Sequence, residues 1–414
     1  MSMKMNKDKI NKEIKENLDL TISVFTRSVP NLISIILVGG LGRGDANISY
    51  NKDTIISSDI DIYVVTKNRL KGREIKRIKR NIKKELIIGP KSKNKPLIDL
   101  HFTNLNELKN CLPLLRFYDL KYASKIIYGV DVRERIPNFT LPYYEGTRLL
   151  LNRLRYSCEW ITLKKISEIE DRKFLTETSK NYYICCQAIS ILARKYEPFP
   201  KKAVNNIDKT INDLFPELKD YDLKIKAKKY FSIRTGANDY KTKNAKKEWL
   251  KSIEILLKII EYYHLKGIQL KSWNKFEKKL SKIHLIPYIK QKTRNPYSMN
   301  RLIQKTMVLK YFLKLIKKQT IYPRSLFISE DPALHLYKST YYITKAIISG
   351  KIEPNMLKNA VHSLRRIYPV KKIKCSSDDY DKFLKNLKIA YDNYYSIGKT
   401  YKGKRFNVSF TTFH

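Results

Sequence analysis

Residues 37–65, LVGGLGRGDANISYNKDTIISSDIDIYVV, decide the fold of the amino-terminal part of the chain. The apolar run at residues 34–38 predicts a buried strand that ends at Gly39, where a glycine-rich turn begins. Further along, acidic and apolar residues alternate strictly, which predicts a second strand with Asp59 and Asp61 on one face and isoleucines on the other. Paired carboxylates inside an apolar strand are either an accident of a strand end or the ligands of a charged group.

The motif PLIDLHF, residues 96–102, repeats this arrangement on another predicted strand, with Asp99 and His101 on one face. If the two strands are neighbours, Asp99 joins Asp59 and Asp61, and the three carboxylates repel one another unless a cation compensates them. Their hard oxygen atoms suit Mg²⁺, which commonly shares phosphate oxygens with a bound nucleotide. Two such ions are a known arrangement for nucleotidyl transfer, so we expect two here. His101 either lines this site or is a packing residue.

The turn after the first strand is a candidate for binding a triphosphate. It contains four glycines, at Gly39, Gly40, Gly42 and Gly44. Glycine permits unusual torsions and close approach, so these residues can turn backbone N–H groups toward phosphate oxygens, and Arg43 adds a charged contact. The turn lacks the Gly-Lys-Ser/Thr ending of a P-loop and does not match the Rossmann fingerprint.

In combination these elements are more specific. A strand, a Gly-Gly turn, an apolar-flanked Asp-x-Asp and a later third Asp resemble the nucleotidyltransferase superfamily of DNA polymerase beta, over about residues 31–104. The resemblance implies that the Gly-Gly turn grips the triphosphate and that Asp59 and Asp61 are ligands of both metal ions. It also implies that Asp99 is the third ligand, next to the attacking hydroxyl, where it helps to deprotonate or orient the acceptor.

Two features depart from the pattern of that superfamily. Residues 41–58 form a spacer longer than usual, which predicts a bulge or a small hairpin. Gly40 stands where many relatives have serine, so a hydroxyl contact to phosphate is missing. Neither departure removes the metal site, but we expect the spacer to alter how the nucleotide or the acceptor is covered.

Helical spacing dominates the rest of the chain, beginning with residues 105–127. The predicted fold class is therefore an α/β head, a small mixed β-sheet with flanking helices, followed by a mainly α-helical body. We expect a nucleotidyltransferase catalytic domain at residues 1–135, a helical domain packed on that head at 136–290 and a basic helical domain at 291–414.

Two further candidate residues come from the helical part. The helix predicted to start at residue 180, KNYYICCQAISILARKYEPF, resembles a segment of bacterial and archaeal nucleotidyltransferases, including aminoglycoside-modifying ones. In those proteins a lysine that opens such a helix reaches the nucleotide phosphates, which nominates Lys180; the alternative is a solvated lysine. Glu145 is either a catalytic base or an acid in the first turn of its helix, where the dipole favours it.

The charge of the chain favours polyanionic partners. It has 84 Lys plus Arg against 39 Asp plus Glu, a formal net charge of +45. Residues 271–414 hold 31 of the basic and 8 of the acidic residues, with many aromatic side chains, so this part suits RNA through phosphate contacts and stacking. AT-rich codons would also produce this composition, and the rings would equally suit a core. The rings in question are Trp273, Tyr311, Phe312, Tyr341, Tyr342, Tyr394 and Tyr395.

The cysteines and the amino terminus indicate the compartment. The five cysteines, which lack metal-site spacing and predict reduced, mostly buried thiols, are Cys111, Cys158, Cys185, Cys186 and Cys375. The first residues lack the apolar core of a signal peptide, and no stretch has the uninterrupted apolar length that spans a bilayer. We expect a soluble cytoplasmic protein.

The sequence thus predicts a Mg²⁺-dependent nucleotidyltransferase that transfers NMP from an NTP such as ATP to an acceptor and releases pyrophosphate. RNA, including tRNA, is slightly preferred as acceptor over a small hydroxylated molecule, and a protein acceptor stays open. The alternative from a different class is an RNA-binding protein whose catalytic head has lapsed. The sequence makes no prediction of the oligomeric state.

Overall fold

The computed structural model describes residues 15–16, 18–46, 48–51, 54–57, 60–87, 98–161, 171–234, 244–267, 332–349, 354–365 and 382–390. The chain divides into two compact units. The first unit, called the head, comprises residues 1–141, 196–203 and 231–240; the second, called the body, comprises 142–195, 204–230 and 241–414. The head is α/β and the body is mainly helical, which confirms the predicted fold class. The domain limits predicted from the sequence stay predictions.

The described part of the head contains the strands β1 (Leu32–Val38), β2 (Ile48–Asn51), β3 (Thr54–Ser57), β4 (Ile60–Thr66), β5 (Ile98–Asn104) and β6 (Lys125–Gly129). Four of them form a mixed sheet in the order β5-β4-β1-β6. Strand β1 is antiparallel to both β4 and β6, whereas β4 and β5 are parallel. The carboxyl end of β1 therefore lies beside the amino ends of β4 and β5.

Helices cover both faces of this sheet. In chain order the head contains α1 (18–28), α2 (Gly39–Arg43), α3 (Gly72–Ile87), α4 (Leu105–Lys109) and α5 (Leu115–Tyr122). Because successive strand residues point to opposite faces, Ile62 and Leu100 pack with α1 and α3, while Tyr63 packs on the other face with α4 and α5. Asp61 and Asp99 share the phase of Tyr63 and so lie on the second face.

The spacer between the glycines and the aspartates forms a hairpin. Strands β2 and β3 pair antiparallel, from Ile48 opposite Ser57 to Asn51 opposite Thr54. Of the two forms predicted for the spacer, a bulge or a hairpin, the structure has the hairpin.

The helical spacing over residues 105–127 does not correspond to helix throughout. This stretch forms α4, α5 and most of β6. The Asn104 side chain caps α4 by accepting a hydrogen bond from the Glu107 N–H at 3.0 Å, and Pro113 lacks the N–H that would continue the helix. Ile126 then pairs with Ile36 in β1, so an apolar run with helical spacing is used as an edge strand.

The described elements that follow β6 are helical. They are α6 (Tyr143–Ile161), α7 (Asp171–Leu192), α8 (Pro200–Asn205), α9 (Ile207–Leu214), α10 (Leu223–Arg234), α11 (Ala245–Gly267), α12 (Pro332–Ile348), α13 (Pro354–Arg365) and α14 (382–390), with short 3₁₀ turns at Arg133–Arg135 and Pro216–Tyr221. In the body, α7 packs against α6 and α11, and α12 packs against α6 and α13. Gly146 lets α6 approach α11 closely, because a Cβ there would overlap the Tyr263 hydroxyl.

The burial of the cysteines and of the aromatic side chains can be compared with what the composition predicts. Cys111, Cys185 and Cys186 are buried free thiols, as predicted, and burial raises the pKa of Cys111 to about 11. Tyr341 is buried in the body with its hydroxyl on Glu261, so this ring belongs to the core and not to a stacking surface. The other aromatic candidates for RNA stacking, except the half-buried Tyr342, lie outside the described residues: Trp273, Tyr311, Phe312, Tyr394 and Tyr395.

The lengths and hydropathy of the helices bear on membrane insertion. None of those in the described part of the chain combines the length and the apolar character needed to cross a bilayer.

Candidate metal and nucleotide site

The parallel pairing of β4 and β5 brings two of the predicted aspartates together. Asp61 is directly opposite Asp99, and Tyr63 is opposite His101 in the next pair on the same face. In parallel strands, residues in register with the same phase project side by side, so the two carboxylates lie next to each other at the amino ends of their strands. The sequence predicted this juxtaposition, and the register produces it.

His101 belongs to the same cluster. Among the described residues, Asp61, Asp99 and His101 form a group in which one ligand atom from each side chain lies within 4.8 Å of the others. The His101 Nε2 atom is 3.3 Å from the Asp99 Oδ2 atom, and the two side chains are 17% and 31% exposed. The cluster is therefore partly shielded but accessible to a small ion. Asp59, the other predicted ligand, lies outside the described residues.

Tyr63 completes this face and was not predicted as a site residue. Its ring stacks on the His101 imidazole, with centroids 5.0 Å apart and planes 25° apart. Burial raises the pKa of Tyr63; Arg116 opposes the shift, whereas Asp61 and Asp99 add to it. The phenol thus stays protonated at neutral pH and supports the imidazole ring instead of acting as a base. The sequence feature that would have identified Tyr63 is its spacing of two residues from Asp61, which places both side chains on the same face of the strand.

Gly39 borders the site directly. It follows Val38, which pairs with Asp61 across the β1–β4 ladder. Its φ is +67°, in the left-handed region, and a Cβ at this position would overlap the Asp61 Oδ2 atom. Only glycine lets the Asp61 carboxylate lie this close to the backbone at position 39.

The glycine-rich turn is in fact a short helix, α2. Gly44 ends it with φ +78°, and a Cβ at this position would meet no atom within 4 Å. Gly42 packs tightly, because its Cβ would overlap the Leu37 carbonyl oxygen, and Gly40 lies against the Ala46 backbone. Packing in the head is thus sufficient reason for glycine at positions 40 and 42, and their phosphate contacts stay a prediction.

Arg43 pairs with a neighbouring acid. Its Nε atom is 3.3 Å from the Asp45 Oδ1 atom, and both side chains are mostly buried. This ion pair links the last residue of α2 to the loop that follows it. The predicted contact of Arg43 with a triphosphate stays a prediction.

Lys180 does not open its helix, which corrects the sequence prediction. Helix α7 begins at Asp171, nine positions earlier, and Lys180 lies in its interior. Its ammonium is 3.0 Å from the Glu177 Oε1 atom, and the side chain is 42% exposed.

Glu145 fits the second of its two predicted roles, an acid in the first turn of its helix. It lies in the first turn of α6 with a fully buried side chain. Arg148 donates to both carboxylate oxygens, from Nε at 3.0 Å and from Nη2 at 2.7 Å. A carboxylate neutralised in this way at a helix start is structural, so we do not assign it as a base.

Comparisons with known proteins add one distant likeness. No family model and no curated protein matches the chain. Among solved structures, the chain is similar to the spectinomycin adenyltransferase AAD(9) from Enterococcus faecialis, which was solved with ATP and spectinomycin. The likeness has 16% identity and a TM-score of 0.35, and it covers 60% of this chain and 99% of that one. A likeness this weak carries no weight for function, which we draw from the geometry of the site.

Proposed function

We propose that the chain is a divalent-metal-dependent nucleotidyltransferase, which transfers NMP from an NTP to an acceptor and releases pyrophosphate. The observation that carries the proposal is the cluster of Asp61, Asp99 and His101, whose ligand atoms lie within 4.8 Å of one another. The parallel register builds this cluster, and it lies directly beside the turn at Gly39. The sequence motif around these residues points to the same chemistry.

The residues fit a divalent cation on two counts. Carboxylate oxygens are the ligands that Mg²⁺ prefers, and two carboxylates held side by side repel unless a cation joins them. The absence of a Cβ at Gly39 also lets the Asp61 carboxylate lie against the glycine-rich turn. We propose that Asp59, Asp61 and Asp99 hold two Mg²⁺ ions. When bound, the ions would neutralise charge on the attacking and leaving oxygens.

In the proposed reaction the acceptor oxygen bonds to the α-phosphorus of the NTP, and the bond from that phosphorus to the pyrophosphate oxygen breaks. Asp99, which is partly exposed, would orient the attacking hydroxyl and accept its proton, then release it to solvent. The Gly39–Arg43 turn would bind the triphosphate through backbone N–H groups and the guanidinium. The contact of Lys180 with the nucleotide phosphates stays a prediction from the sequence.

For the acceptor we keep RNA ahead of a small hydroxylated molecule or a protein, on the basis of the +45 net charge. The rival from another class is a lapsed enzyme that binds RNA. It predicts tight RNA binding without incorporation from any NTP. We also keep the expectation that the protein acts in the cytoplasm.

The test is incubation of the protein with each NTP labelled at the α-phosphate, Mg²⁺ and separate RNA, metabolite and protein fractions. We expect label in one fraction, and none with Asp61→Asn or Asp99→Asn. The matched control is Asp131→Asn, because Asp131 is a carboxylate of the same head that pairs with Arg133. Absence of labelling from all four NTPs in every fraction would overturn the proposal. An RNA acceptor is supported if labelling falls steeply between 50 and 200 mM salt, roughly the range over which phosphate contacts weaken.

A further inference from the structure

The candidate metal site of the head contains an imidazole as well as carboxylates. Ligand atoms around one octahedral ion with bonds of about 2.1 Å lie about 3 Å apart when adjacent and about 4 Å apart when opposite. The His101 Nε2 atom is 3.3 Å from the Asp99 Oδ2 atom, and ligand atoms of Asp61, Asp99 and His101 all lie within 4.8 Å of one another. One ligand atom from each of the three side chains thus lies at or near the spacing that a single ion requires.

The imidazole is held in place before any ion binds. His101 follows Asp99 by two residues on the same strand face, so the backbone aims both side chains in the same direction. Tyr63, its register partner on β4, is 7% exposed and stacks on the ring. A ligand whose orientation is fixed by packing loses little conformational freedom when it coordinates.

The chemistry of this mixed set favours a first-row transition ion over Mg²⁺. Carboxylates suit both Mg²⁺ and Mn²⁺, whereas imidazole binds first-row transition ions in preference to Mg²⁺. Mn²⁺ accepts both ligand types in octahedral geometry.

We propose that His101 is a direct metal ligand in the site of Asp61 and Asp99, and that it makes this site select Mn²⁺ over Mg²⁺. The use of this ion in catalysis rests on the proposed function, but its binding does not. The competing role for His101 is a hydrogen bond that only positions Asp99. In that case Mg²⁺ and Mn²⁺ affinities would depend on the histidine equally.

The first experiment is pulsed electron paramagnetic resonance of the full-length protein with Mn²⁺ alone. A coordinated imidazole nitrogen gives a ¹⁴N coupling, which we expect in the wild type and expect to disappear in His101→Ala. The absence of this coupling in wild type with bound Mn²⁺, or its persistence in His101→Ala, would overturn the proposal. The wild-type spectrum decides even if the variant fails to fold.

The second experiment compares affinities by titration with Mn²⁺ and with Mg²⁺. We expect the wild type to favour Mn²⁺ by roughly tenfold or more, and His101→Ala to lose most of that preference while Mg²⁺ affinity changes little. Asp131→Asn, in the same head, should leave both affinities unchanged. A parallel fall of both affinities in His101→Ala would assign the histidine to positioning and overturn direct ligation.

These results are separable from the proposed function. A ¹⁴N coupling in a protein that incorporates no NTP would uphold the metal ligand and overturn the enzyme assignment. Incorporation that requires Asp61 and Asp99, with no ¹⁴N coupling, would uphold the enzyme and overturn the ligand.

Discussion

Asp61 and Asp99 in the head and Glu177 in the body are held in different ways. In the head, strand register places Asp61 and Asp99 side by side on one face of the sheet, partly exposed and next to His101. In the body, Glu177 is 7% exposed and is bound by Arg153, whose Nη2 lies 2.5 Å from the Oε2 atom. The first arrangement concentrates negative charge, whereas the second neutralises it within the fold.

The surroundings of Glu177 show what a completed charge network looks like. Arg153 also donates to the Glu177 carbonyl oxygen at 3.0 Å and to the Asn181 side chain. Asn181 in turn donates to the Ser252 hydroxyl at 2.8 Å, so the network joins α6, α7 and α11. Buried ion pairs of this kind specify packing. Asp61 and Asp99, in contrast, place two like charges in register, as the proposed metal site requires.

The largest expected effect comes from breaking the body pair. Arg153→Met should lower the free energy of unfolding by about 3–5 kcal/mol, because it removes the guanidinium from a buried carboxylate. The double variant Arg153→Met/Glu177→Met should recover most of this loss. Urea unfolding measures both.

The matched control for that variant is Arg133→Met in the head. Arg133 pairs with Asp131, whose side chain is 45% exposed, so its loss should cost about 1 kcal/mol or less. Equal losses for Arg153→Met and Arg133→Met would remove the distinction between buried and exposed pairs.

The next largest effect should be seen in the pH dependence of stability, which we expect to depend on Glu177. Burial raises its pKa, but Arg153 and Lys180 outweigh burial and lower it from 4.5 to about 2. The stabilisation, on the order of 3 kcal/mol, is then fully present above pH 4.5 and is lost as the pH falls toward 2. Unfolding free energies at pH 7, 4.5 and 3 should fall less steeply in Glu177→Gln than in wild type. If stability fell equally steeply with pH in wild type and in Glu177→Gln, the Glu177 carboxylate would not be stabilised by Arg153 and Lys180.

A smaller effect should distinguish the two glycines at the ends of α2. Gly39 and Gly44 both have positive φ, so alanine at either should cost about 1 kcal/mol in backbone strain. Gly39→Ala should lose a further 1–2 kcal/mol or so, because its Cβ would overlap Asp61. In an Asp61→Ala background the excess should disappear, which chemical unfolding of the four proteins can measure. An excess that survives in that background would contradict the contact.

The smallest effect should come from Asp99→Asn in metal-free protein. Like charges directly opposite in a sheet are destabilising, so the variant should be more stable than wild type by up to about 1 kcal/mol in the presence of a chelator. Added Mn²⁺ should reverse the order, because it stabilises only the protein that binds it. Thermal unfolding with and without metal checks both; a loss of stability in the chelated variant would mean that Asp99 is a structural acid like Glu177.

Much of the head could be predicted from the sequence because period-two patterns are local. The phase of Asp61 and Asp99 relative to their apolar neighbours gave both the strands and the face. Strand β6 was missed because its short apolar run also fits a helix, and only pairing with β1, about ninety residues earlier, decides between them.

The rest of the site and the body depended on contacts that sequence spacing does not contain. The spacing of Arg153 and Glu177, 24 residues apart, does not indicate a pair until α6 packs on α7. The stacking of Tyr63 on His101 required the parallel register of β4 and β5, which the sequence left open. Helix α2 replaced the predicted turn because Gly39 and Gly44, both at positive φ, allow one helical turn between them.

The most direct test of the central claim is metal-dependent pyrophosphate release in wild type, Asp61→Asn, Asp99→Asn and Asp131→Asn, with the acceptor fraction that becomes labelled. The account predicts release that requires Mg²⁺ or Mn²⁺, is preserved in Asp131→Asn, and falls by about a thousandfold or more in Asp61→Asn and in Asp99→Asn. Turnover near the wild-type rate in either of these two variants would contradict it.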